Sequence, residues 1–302
     1  MLSSAESREF YLGLYGPGLL AGLAVVVMCG LLSVLVVVKR LGFVGQGVSH
    51  SAFGGIGVAA MLAAIGLMPA GEAGQAVQLG IVVLFCLGAA VGMGAVSSRR
   101  EVSEDTAIGL FLVGSMALGA VLVQVARGIA ERGGGSGGGG GVASWESILF
   151  GSILGAGRSD AWIAWGVALA VAGVLWWVRR PLAFWAFDEE ASRAFGVRAG
   201  AMKFVLMMML ALAVVVAMKL AGVVLATALL VLPGATALRL SDRMKPVVLL
   251  SVACGVLGLL LGLGLSIEMD WQPGPSVVLV MTAMFIAALA VGGVRARAYH
   301  RA

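Results

Sequence analysis

The chain has 302 residues, of which 61% are hydrophobic, 12% are charged and 46 are glycine. A soluble domain carries about 25% charged residues and ~7% glycine, and a soluble fold of this size could not hide so much apolar surface; the same composition excludes disorder, and three cysteines exclude a disulfide scaffold. The net charge of +5 is spread over many loops, so it reads as a topology signal and not as a nucleic-acid surface.

A membrane-spanning helix needs about 20 mostly apolar residues. The first 18 residues carry two glutamates and no basic lead-in, unlike a cleaved signal peptide. Nine stretches then qualify as spans: 16–38, 48–68, 77–97, 106–126, 160–178, 200–218, 220–238, 246–266 and 275–293. None alternates with a two-residue period, which argues against a lipid-facing β-barrel. The run 200–238 is long enough for two helices, with Lys219 and Gly222 marking the turn. The piece 148–156 is too short to span and reads as a re-entrant or surface helix. The loop 133–141, GGGSGGGGG, has nothing that can pack and reads as a flexible outer tether. No Gly-Lys pair occurs in the chain, so a phosphate loop is excluded. The expectation is an all-α, polytopic transmembrane bundle of about nine spans, forming one transmembrane domain over 1–302.

Lysine and arginine set the orientation. With nine spans, 15 basic residues fall on one side, among them Lys39, Arg40, Arg179, Arg180, Lys203, Arg239 and Lys245. Five fall on the other: Arg8, Arg127, Arg132, Arg158 and Lys219. The basic side is cytoplasmic, which puts the N-terminus outside and the C-terminus inside.

Ionisable residues inside a membrane are costly and are functional candidates by default. Of the two histidines, His300 lies in the basic tail and reads as solvated. His50 starts the second span in GFVGQGVSHSAFGG (Gly42–Gly55), with Gln46 one helical turn earlier on the same face. Imidazole is a good ligand for transition metals and an amide oxygen a weak one. The competing reading is a histidine held between helices whose small residues, Gly45, Gly47, Ser49, Ser51, Gly54 and Gly55, allow close packing. Glu104 and Asp105 suit the N-terminus of the fourth span. Glu268 and Asp270 fall in an outer loop. Met207, Met208 and Met209 point to three helix faces and read as packing rather than a copper site. Cys29, Cys86 and Cys254 read as small apolar fillers.

One cytoplasmic segment, 181–200, stands apart. Asp188 can cap a short helix in which Ala191, Ala194 and Phe195 share a face, Glu190 lies in its first turn, and Gly196 stops it. Such a helix is too short to be stable alone and suits a partner's groove; an ordinary interfacial loop helix is the plainer alternative.

Together, four segments resemble the permease subunits of ABC-type importers for zinc, manganese and iron, the ABC-3 metal permease family. They are FVGQGVSHSAFGG, SSRREVSEDTAIGLFLVGSMALG (Ser97–Gly119), SWESILFGSILG (Ser144–Gly155), and FDEEASRAFGV followed by LAGVVLATALLVLPGATALRL (Leu220–Leu240). The resemblance implies a homodimeric permease of a bacterial inner membrane, without an ATPase motif of its own. It would work with cytoplasmic ABC ATPase subunits and an extracytoplasmic metal-binding protein, and it would hold no permanent cofactor. The resemblance further implies that Asp188, Glu190, Ala191, Ala194, Phe195 and Gly196 form the ATPase-docking segment, and that His50 and position 46 line the route of a divalent metal ion. Position 46 is Gln46 here, where the family pattern has aspartate. The rival expectations are a permease for iron-siderophore or cobalamin-type cargo and an ATP-independent secondary carrier. The latter usually needs embedded proton or ion relays, which this chain scarcely has.

Overall fold

The computed structural model describes residues 4–69, 71–98, 102–132 and 153–299. Among them every regular element is helical. The helices are α1 (Ser4–Val38), α2 (Val44–Ala64), α3 (Glu72–Ser97), α4 (Glu104–Arg132), α5 (Arg158–Phe187), α6 (Glu189–Ala194), α7 (Ala199–Leu240), α8 (Met244–Met269) and α9 (Pro273–Tyr299). A 3-10 turn, Ile153–Gly155, precedes α5. All but α6 contain a stretch long and apolar enough to cross a membrane, which gives eight candidates among the described residues.

The predicted count of about nine is reconciled by α7. It has 42 residues, but Gly222 inside it sits at φ 79° and ψ 166°, a conformation no helix contains. The two arms, 199–221 and 223–240, correspond to the two spans predicted there. At 1.5 Å per residue they measure about 34 and 27 Å, each close to the ~30 Å hydrocarbon layer.

Helix α5 differs from expectation. Its apolar run ends near residue 178, whereas the helix continues through Arg179, Arg180 and Pro181 to Phe187. A proline removes one backbone hydrogen bond, which a helix tolerates where neighbours or water can satisfy the freed carbonyl. The first part of the segment 181–200 is therefore the C-terminal end of α5, and only Glu189–Ala194, capped by Asp188, forms the separate short helix. Loop 133–141 and residues 148–152 lie outside the described residues.

Contacts among the described residues group the chain into two compact units. The first combines Met1–Gly42, Trp145–Val197 and Val216–Ala302, and the second combines Phe43–Ser144 with Arg198–Val215.

In the first unit α1 packs against α5, α8 and the 3-10 turn. Met28, Cys29, Leu32 and Val34 are fully buried, so α1 is its centre. Ser33 is buried there too; its hydroxyl donates to the Val231 carbonyl and accepts from the Gly234 N–H at 2.8 Å. Ser251 in α8 donates to the Gly30 carbonyl at 2.7 Å. These bonds satisfy polar groups that lipid could not. At one end of the unit Lys219 pairs with Asp160 at 2.7 Å. At the other, Val34, Ala237 and Val247 close a small cluster with Val38 at its edge. Helix α1 stops there in a Schellman turn: Arg40 takes φ 57°, and the Leu41 N–H reaches the Val36 carbonyl at 2.8 Å. Trp162, Trp176 and Trp177 are exposed near the two ends of the apolar stretch 160–178 of α5, as interfacial tryptophans are.

In the second unit α2 packs against α3 and α4. The small residues singled out in its sequence make this possible, for Gly45, Gly47, Ser49, Ser51, Gly54 and Gly55 are all buried. A methyl group placed on Gly54 would come within 2.5 Å of the Phe85 ring, and one on Gly57 within 2.7 Å of the Gly119 Cα. Ser115 of α4 bonds Ser51 at 3.3 Å. Glu104 at the start of α4 pairs with Lys203 of α7 at 2.6 Å. The cap of α4 is Ser103, whose hydroxyl accepts from the Thr106 N–H, one residue before the predicted carboxylates. Met207 and Met209 are buried and Met208 is half-buried, so these methionines pack. All three cysteines are free and buried.

Candidate ion route and docking helix

His50 stands in the first half of α2, which has no acidic residue in its first turn and no charged residue elsewhere along its length. The helical register holds Gln46 and His50 on one face. Gln46 is exposed and His50 half-buried. The ring stacks on Phe53 with centroids 5.9 Å apart and planes 23° apart. Its Nδ1 is buried, with no hydrogen-bond partner among the described residues. A buried ring nitrogen without a partner is a rare condition that needs a cause. The glycine and serine seam turns the other face of α2 inward and leaves this face available. Among the described residues no three or more of His, Cys, Asp and Glu come together to hold a metal ion. Among the described residues this face of one copy offers an imidazole, a good ligand for transition metals, and an amide, a weak one.

The docking segment, in the first unit, is organised by its own sequence. The Asp188 carboxylate accepts from the Ala191 N–H at 2.8 Å, capping α6, an arrangement worth about 1 kcal/mol. Gly196 takes φ 82°, and the Val197 N–H reaches the Ser192 carbonyl at 2.9 Å, closing the C-terminus as a Schellman turn. Both features are those the sequence pattern predicts. Glu190 and Ala194 are exposed, and Ala191 is half-buried. Phe195 is 81% exposed and leans on Phe184 with ring centroids 5.8 Å apart. Phe187, at the end of α5, is exposed as well, and exposed apolar patches mark contacts with proteins or with membrane.

The structure adds residues that the sequence reading passed over. The Lys39 ammonium, just after α1, bonds Glu189 at 3.1 Å and lies 3.9 Å from the centroid of the Trp185 ring. Glu189 also accepts from Arg193 at 2.7 Å. Burial pushes the Glu189 carboxyl up, but hydrogen bonds and charges from Lys39 and Arg193 outweigh it and hold the group below its ordinary range. The Glu189–Arg193 half was readable as an i,i+4 pair. The Lys39 half spans 150 positions and left no local trace.

Eight described helices long and apolar enough to cross a bilayer define a multi-pass membrane protein. The particular family follows from comparison. Residues 14–292 match the ABC 3 transport family, and the chain belongs to it. The manganese transport system membrane protein MntC of Halalkalibacterium halodurans is 31% identical over 267 residues, covering 88% of this chain and 83% of that protein. A Haemophilus influenzae protein named "Probable iron transport system membrane protein" is 28% identical, covering 92% of this chain and 94% of its own. The solved structure of PsaBC from Streptococcus pneumoniae in complex with Fab superposes with a TM-score of 0.70 at 26% identity, covering 92% of this chain and 90% of that one.

Proposed function

We propose that the chain is the permease subunit of an ATP-driven importer of a divalent transition metal ion, manganese or iron, in a bacterial inner membrane. The observation that carries this reading is the near full-length likeness to membrane proteins named for manganese and iron transport. The chemistry of the chain is consistent with it. Two copies facing each other would bring two His50 rings and two Gln46 amides to one passage. Four neutral ligands hold a cation weakly enough to let it leave, as a conducting site must. Only neutral imidazole can bind the ion, so protons compete with it.

In this reading a separate extracytoplasmic protein delivers the ion and a cytoplasmic ATPase dimer supplies the energy. The ATPase receives α6 in a surface groove, with Phe195 as the apolar anchor. Closure of the ATPase on nucleotide displaces α6. The ion pair and cation–π contact of Lys39 pass that displacement to the end of α1, the buried centre of its unit. The two permease copies then open alternately to the two sides.

The test is uptake into vesicles holding the permease with its ATPase and binding protein, with manganese, iron and zinc in competition. ATP-dependent manganese accumulation suppressed by ferrous iron is the expected result. Uptake that ignores ATP, or a complex indifferent to all three metals, overturns the proposal.

A further inference from the structure

On the basic side of the first unit, α1, α5 and α8 enclose a groove of about 660 Å³. Its deeper wall is apolar and includes Leu31, Leu35, Leu175 and Val248. Its mouth carries three cations, Arg179, Arg180 and Lys245. All three are exposed, and among the described residues none has a carboxylate within ion-pair distance. Arg179 is held over the Trp176 ring at 4.7 Å, which fixes one guanidinium at the rim. We propose that this groove is a binding site for one anionic phospholipid of the cytoplasmic leaflet.

The polarity runs in the right direction for a lipid. Leu175 lies one turn deeper than Arg179, about 6 Å along the helix axis. Leu31 lies two turns from the end of α1, so the apolar wall points into the membrane and the cations into its surface. Basic pockets between spanning helices on the cytoplasmic side are the known form of such sites. Other occupants fit less well. A second copy seated by the same face would bring three unpaired cations against three more. A water-soluble partner could reach the rim but not Leu31. The groove also reaches Leu182 and Ala183, a few residues before the docking helix, so its occupant would brace the cytoplasmic end of α5. The inference is independent of which ion is transported and of the proposed partners.

The experiment is native mass spectrometry of the purified full chain, titrated with dioleoyl phosphatidylglycerol and, separately, dioleoyl phosphatidylcholine. One phosphatidylglycerol per chain should be retained in preference to phosphatidylcholine. The triple variant R179Q/R180Q/K245Q should hold it about 100-fold less tightly, the combined effect of three surface cations on an anionic lipid. Leu175→Trp, which fills the groove and keeps every charge, should lose it too. Arg239→Gln, an exposed cation that does not line the groove, should weaken retention far less than the triple variant does. Equal retention of the two lipids, wild-type affinity in the triple or the tryptophan variant, or an equal loss in Arg239→Gln overturns the assignment. Efficient disulfide formation between two copies of Ala183→Cys would place protein in the groove and overturn it as well. If the triple variant does not fold, Arg180→Gln and the comparison of the two lipids on the wild-type chain decide the matter.

Discussion

The two candidate sites are built in opposite ways. The docking helix is complete within one chain: Asp188 caps it, Gly196 ends it, and Lys39 and Arg193 converge on Glu189. The His50 face has no such network among the described residues, where Nδ1 has no hydrogen-bond partner and the Gln46 side chain is exposed. A site that must release its ion every cycle gains from having its ligands divided between two copies. A site that transmits force gains from a rigid internal network. Change at the His50 face should therefore alter transport with the fold intact, whereas change at the docking helix should break the link between hydrolysis and transport.

The sharpest test of that contrast is His50→Ala. Uptake in reconstituted vesicles should fall to background, while the complex still assembles on size-exclusion chromatography. Normal metal accumulation would remove His50 from the route. Next is Phe195→Asp, which puts a charge in an apolar contact. ATPase stimulation by loaded binding protein should fall several-fold while the permease keeps its melting temperature; unaltered stimulation would remove Phe195 from the docking surface. The smallest effect belongs to Glu189→Gln. The Glu189 carboxyl is held below its ordinary range, so its ion pairs stabilise the fold above the unfolded-state pKa, and this contribution disappears as pH falls through the lower folded-state value. The wild type should out-melt Glu189→Gln by a constant margin from neutral pH to about pH 5. The margin should shrink only in stronger acid. A margin that vanishes already near pH 6 would mean that the Lys39 contact does not hold Glu189.

The legibility of the sequence follows the range of the forces involved. Apolar length is a local property, so the spans were plain, and so was the break at Gly222. Caps are local too, which is why Asp188 and Gly196 could be placed. The run of α5 beyond Arg179 is not legible because the apolar stretch ends at the arginine pair, whereas the helix continues through it and through Pro181. The Lys39–Glu189 bond and the cluster of Arg179, Arg180 and Lys245 join residues far apart in the chain, so they emerge only when the helices pack. His50 was conspicuous through scarcity. Its missing partner was not legible, because vacancy at an atom is a property of three-dimensional surroundings.

Gly222 has one more consequence. Its φ and ψ lie in a region that only glycine occupies without strain. An unbroken 42-residue rod would be about 63 Å long, twice what lipid can cover. Any side chain there would strain the backbone at the break. One hydrogen atom in place of a β-carbon thereby lets a single 42-residue run be divided, without strain, into two arms that each match the depth of the bilayer.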